Sequence, residues 1–125
     1  MSLGYFFTCD LRLLNRTVYL ADELAGQEQL IAPGIYQQAI PTLASQPIAY
    51  LRLCYKPGAD SGEQLLCLPQ AVSGYLLQGE LELTVNAEVT RLKTGDAFSL
   101  TALQPHRLRN MSTVLDCVFL SCLAH

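Results

Sequence analysis

Histidine is scarce in this chain: of 125 residues, only His106 and the last residue, His125, are histidines. A metal centre of three imidazoles therefore cannot be built from one copy. Charge is sparse too, at 15% of residues with a net charge of −3, and it is spread along the chain. That distribution leaves no electrostatic footprint for nucleic acid, and Arg107 with Arg109 reads as a solvated strand face rather than a phosphate track. Apolar runs such as residues 75–77 or 118–120 fall far short of the roughly 20 residues that cross a bilayer as a helix, so no membrane partner is expected. Residues 1–7 lack a basic n-region, a sustained apolar segment and a small-residue cleavage site, which points to a cytoplasmic protein. The five cysteines contain no Cys-x-x-Cys pair and read as ordinary buried or surface thiols. The Asn-x-Ser/Thr matches at Asn15 and Asn110 mean little without export. Repeats and low-complexity segments are absent.

What is present is apolar: half of the residues are hydrophobic, enough for one domain with a single core. Two regions differ in texture. Residues 1–47 mix an aromatic start, a short helical or irregular piece around 19–24, and an uncharged stretch with Pro33, Gly34, Pro41 and Pro47. Prolines at that frequency exclude a long helix, so edge strands and loops packed on a barrel are expected. From residue 48 to 125, short strand-like runs alternate with turn residues. Residues 48–55 are β-prone and stop at Lys56, Pro57 and Gly58. Residues 74–77 form the next strand, ended by Gln78 and Gly79. Leu81, Leu83 and Val85 then alternate with Glu80, Glu82 and Thr84, the period of a strand with one wet face. Asn86 and Ala87 mark a hairpin turn. Strands are expected at 89–92, 97–100, 107–109 and 114–122.

The order of strand, Gly79, alternating strand, turn, strand, Gly95, Asp96, strand, Pro105, His106 and Asn110 resembles the cupin superfamily, in particular its small single-domain conserved-barrel members, over residues 48–123. Gly95, His106 and Asn110 fall at the spacing of the second cupin motif, whereas Thr101 and Leu103 replace its proline and second glycine. Gly79, preceded by Tyr75, Leu76 and Leu77, matches the end of the first motif. The resemblance implies an all-β fold, a double-stranded β-helix or jelly-roll barrel with N-terminal edge strands and loops. Counting back from Gly79 by the family spacing puts the two usual histidines at Leu66 and Leu68 and the glutamate at Val72. A one-residue shift substitutes Leu65 and Cys67, and recovers neither histidine nor carboxylate.

In such barrels residues i and i+2 of a strand point to one side, so a His-x-His pair grips one ion. Leucine and valine supply no donor; each instead adds about 1.5–3 kcal/mol of apolar burial. No metal and no cofactor is therefore expected, and the resemblance implies a degenerate first motif. His106 is the one inward imidazole, able to donate, accept or shuttle a proton, facing an apolar wall of Leu66, Leu68 and Val72. Asn110 ends its strand or fixes a loop and touches ligand only secondarily. The expected role is non-enzymatic binding of a small, partly apolar molecule in the barrel, as a sensor, carrier or accessory protein. Two alternatives stand beside it. One is a small cupin enzyme of isomerase, dioxygenase or decarboxylase type using His106, with or without a metal held also by Cys67 and Glu63; the other is a packed structural or interaction module. Strand parity turns Tyr75 and Leu77 outward, and homodimers are common in the family, so a homodimer is expected.

Overall fold

The computed structural model describes residues 17–41, 48–62 and 68–124. These hold one short helix, α1 (Ala21–Ala25), and nine strands: β1 (Glu28–Ala32), β2 (Ile35–Ile40), β3 (Ile48–Tyr55), β4 (Val72–Gln78), β5 (Glu80–Val85), β6 (Glu88–Lys93), β7 (Ala97–Leu100), β8 (His106–Arg109) and β9 (Cys117–Ala124). A six-stranded sheet runs in the order β1-β2-β3-β9-β4-β7, and a three-stranded sheet in the order β6-β5-β8. Every strand pairing is antiparallel. The non-sequential neighbours, with β9 inserted between β3 and β4, give the two-sheet jelly roll that the sequence resemblance implied.

Alternation along the strands decides which face is inside. In β5, Leu81 and Leu83 are buried while Glu80 is exposed; β4 buries Val72, Gly74 and Leu76 and exposes Ser73, Tyr75 and Leu77. Asn86 and Ala87 both take positive φ, 52° and 64°, the conformation of the two-residue turns whose twist matches that of the flanking strands. The first region supplies β1 at the sheet edge and β2, which pairs along its full length with β3 and buries Ile35, Gln37, Gln38 and Ala39.

The inward residues of both sheets merge into one core. Leu53, Phe119 and Leu76 are neighbours across β3, β9 and β4. The Phe119 ring lies 5.5 Å from that of Tyr55 and 6.0 Å from that of Phe98, within the range of favourable tilted aromatic pairs. Phe98 lies over Gly74, where a β-carbon would collide with its ring. Aromatic side chains of β3, β7 and β9 thus pack together in the core.

The last strand differs from the expectation of residues 114–122. It begins at Cys117, and Val114 and Leu115 are 78% and 59% exposed. The cause is local hydrogen bonding that competes with strand pairing. Ser112 Oγ accepts from the amides of Val114 and Leu115 at 3.1 and 2.9 Å, and Asn110 Nδ2 donates to the Leu115 carbonyl at 2.8 Å. β-branched and apolar residues at 113–115 raised the strand signal; the preceding Asn and Ser override it.

Candidate functional site

β8 opens with His106, opposite Val85 at the end of β5. A five-residue connection, 101–105, joins it to Leu100, which pairs with Val72 at the start of β4. Val72 also pairs with Leu123 of β9. Within the connection, the Leu103 amide donates to the Leu68 carbonyl at 2.7 Å. One end of the barrel therefore gathers His106, Val72, Leu100, Leu123 and the approach of residue 68. Val72 is 3% exposed, and Leu68 is half-buried against the core. Leu66, together with Glu63, Leu65 and Cys67, lies outside the described residues.

His106 is 1% exposed. Its Nδ1 is 3.0 Å from the Gln104 carbonyl oxygen. A carbonyl only accepts, so Nδ1 carries the hydrogen and Nε2 of the neutral ring keeps its lone pair. Nε2 is buried without a hydrogen-bond partner among the described residues, and so is Ser121 Oγ. Ser121 stands on the inner face of β9 opposite Leu51 and Gly74, one inward step from Leu123 toward the middle of the barrel. Sequence reasoning missed Ser121. Its signal was present: a hydroxyl between Phe119 and Leu123 on the apolar parity of a strand.

Burial holds the His106 pKa below its ordinary value of 6.5, while the carbonyl at Nδ1 acts in the opposite direction. Protonation would place a charge and a second N–H in the buried interior, at a nitrogen that has no partner among the described residues. The sign follows: the stability due to neutral His106 is fully present above about pH 6.5 and is lost as pH falls through the lower folded-state value. Urea titrations should therefore show stability declining below that pH by up to about 1.4 kcal/mol per pH unit, with the slope absent in His106→Phe. A flat profile in the wild type, or an unchanged slope in the variant, contradicts this. Asp60 belongs to a separate window. Its bidentate partner Arg107 keeps its carboxyl below the ordinary 3.8, so that contribution is lost only at still lower pH.

The charged side chains of the described residues lie outside the interior. Arg107 is engaged by Asp60 and Arg109 by Glu82 at 3.5 Å, and no Asp, Glu, Lys or Arg is buried among the described residues. The buried Cys117 thiol is pushed up to about 12 by desolvation, leaving an inert side chain. No group of three or more His, Cys, Asp and Glu side chains able to hold a metal occurs among the described residues. At the four motif positions the donor set is one imidazole and three hydrocarbon side chains, which does not fit a divalent cation.

Asn110 is 1% exposed, and its amide serves the backbone. Nδ2 donates to the Tyr55 and Leu115 carbonyls at 2.9 and 2.8 Å, and Oδ1 accepts from the Ser112 amide at 3.0 Å. It ties β3, β8 and the 111–116 loop together, at the far end of β8 from His106.

The model of the cupin domain called Cupin_2 matches residues 51–123. No curated protein matches the chain significantly. Among solved structures, the chain is similar to an RmlC-like cupin from Shewanella frigidimarina NCIMB 400, with a TM-score of 0.73 at 13% identity over 88% of this chain and 91% of that one. It is similar to KdgF from Halomonas sp., with a TM-score of 0.69 at 23% identity over 86% of this chain and 94% of the other. The Cupin_2 domain of an XRE family transcriptional regulator from Enterobacter cloacae aligns with a TM-score of 0.63 at 19% identity, covering 74% and 97%. Likeness at these identities speaks to the fold, and the family match covers more than half of the chain. With two antiparallel sheets, a buried histidine opening β8 and a Cupin_2 match from 51 to 123, this chain belongs to the cupin superfamily.

Proposed function

We propose that this cupin binds a small, neutral, partly apolar molecule at the His106 end of its barrel, without chemistry on it and without a metal. One observation carries the reading: a fully buried imidazole whose Nδ1 is committed to Gln104 and whose Nε2 lone pair has no partner among the described residues. A buried acceptor left unpaired costs about 1–3 kcal/mol, so a guest that donates one hydrogen bond and covers hydrocarbon is favoured there. Val72, Leu100 and Leu123 supply apolar surface at that end, and Ser121 Oγ, one inward step further along β9 from Leu123, is a second buried polar atom without a partner among the described residues. Among the described residues an anion finds no buried cation, and acid–base catalysis finds no buried carboxylate or lysine to pair with the imidazole.

A thermal-shift titration with phenol and cyclohexanol, two neutral hydroxyl compounds, tests this. The expected result is a saturable rise in Tm for the wild type and none for His106→Phe. Equal shifts in both proteins, a larger shift with benzoate than with phenol, or stoichiometric metal in the purified protein would each overturn the proposal. A second reading, a barrel packed shut, is favoured by the Tyr55, Phe119 and Phe98 cluster; it predicts no shift with any compound.

A further inference from the structure

The connection that leads into His106 is held in a shape that its own residues disfavour. The Gln104 amide donates to the Thr101 carbonyl at 3.3 Å and closes a four-residue turn, 101–104. The third residue of that turn, Leu103, has φ 63°, a left-handed conformation in which a leucine is strained and glycine is the usual occupant. Burial does not offset the strain, because Leu103 is 63% exposed. Such a conformation persists only where its surroundings over-determine it. Two contacts do so here. The Leu103 amide donates to the Leu68 carbonyl at 2.7 Å. Gln104 Oε1 accepts from the Thr101 amide at 3.0 Å and from the Thr101 hydroxyl at 3.3 Å, so a side chain bridges the two ends of the turn to which it belongs.

The same glutamine meets His106 through its main chain. Pro105 biases the residue before it toward extended backbone, so the placement of the closed turn sets the direction of the Gln104 carbonyl, which accepts the Nδ1–H at 3.0 Å. A neutral histidine side chain in water carries its hydrogen mainly on Nε2, so the Nδ1–H form has to be imposed by an acceptor at Nδ1. The choice decides what the ring offers. With the hydrogen on Nδ1, the buried Nε2 is an acceptor; with the hydrogen on Nε2, the same atom is a donor and selects the opposite kind of partner.

We infer that Gln104 is a positioning residue for His106: its side chain holds the strained turn closed, the closed turn aims the Gln104 carbonyl at Nδ1, and the ring is thereby kept with Nε2 as an acceptor. The proposed binding role is needed only for the consequence, that a turn residue outside the barrel sets which guests are accepted; the tautomer is read in the protein alone. Nitrogen NMR of the His106 ring at neutral pH, on the labelled full chain, gives the tautomer ratio. The wild type should be predominantly Nδ1–H. Gln104→Ala should raise the ratio of the Nε2–H to the Nδ1–H form by about tenfold, the effect of one hydrogen bond lost from the turn. Gln104→Glu, whose carboxylate still accepts from Thr101, should keep the wild-type ratio. Leu103→Gly added to Gln104→Ala should restore it, because glycine takes positive φ without strain. The clamp is exposed, and circular dichroism and Tm establish that each variant is folded. An unchanged ratio in Gln104→Ala overturns the inference, as does a change that neither Gln104→Glu avoids nor the added Leu103→Gly reverses. A wild type that ignores phenol while these ratios behave as expected counts against the guest and supports the role of Gln104.

Discussion

Asn110→Asp is expected to destabilise the fold by about 3–5 kcal/mol, measured as the shift in urea-unfolding free energy. The side chains are nearly isosteric, so the effect isolates hydrogen-bond polarity. Asn110 Nδ2 donates to two main-chain carbonyls, of Tyr55 and Leu115. An aspartate oxygen in its place would face both carbonyls as a third acceptor, in a site only 1% exposed. The main chain of residue 110 cannot move away: its amide donates to the Ala59 carbonyl at 2.9 Å, and its carbonyl accepts from Gly58 at 3.1 Å. Asn110→Ala removes the donors without adding charge and should cost less, about 2–3 kcal/mol. For a domain whose whole stability is of the order of 5–15 kcal/mol, the aspartate variant removes a large share. A loss below about 1 kcal/mol in Asn110→Asp would mean that the amide does not hold these strands together.

The second large effect is expected at Gly79, between β4 and β5. Its φ is +82°, and an added β-carbon would overlap the Asp116 carbonyl oxygen and lie 3.1 Å from Cys117 Cα. Both obstacles are main chain, and Cys117 is the first residue of β9 in the centre of the large sheet. Gly79→Ala thus combines left-handed strain with overpacking against a surface that cannot yield, and should cost about 3–4 kcal/mol. Gly58 is the control. It has φ +77° but nothing within 4 Å of the same added carbon, so Gly58→Ala should cost only about 1 kcal/mol. Equal losses at the two positions would show that backbone conformation alone, and not the approach of β9, demands glycine at 79.

Both residues belong to the motifs that made the family legible, and their structural duties explain why much of the fold could be read from residues alone. Gly79 and Asn110 are held by main-chain contacts that any barrel of this topology must make. The strand 80–85 was readable because one of its faces is wet. The error at 114–116 came from the opposite situation, where apolar side chains sit in a loop held by Asn110 and Ser112. The site was legible to a lesser degree. Motif spacing located His106, and strand parity placed Val72 inside and Tyr75 outside. Tautomer and pairing at Nε2 depend on the Gln104 carbonyl, which spacing does not reveal. Ser121 escaped notice because one hydroxyl in an apolar strand resembles ordinary variation until pairing places it opposite Leu51 and Gly74.

The proposed binding of a neutral guest rests on the state of one nitrogen. Nitrogen NMR of the His106 ring in isotopically labelled protein, followed through a phenol titration, reads that state directly. The predicted spectrum of the protein alone has a protonated Nδ1 and a bare Nε2, and the Nε2 resonance moves saturably as phenol donates to it. A proton on Nε2 at neutral pH, or an Nε2 resonance that phenol leaves unmoved, would contradict a neutral imidazole that offers its lone pair to a neutral guest.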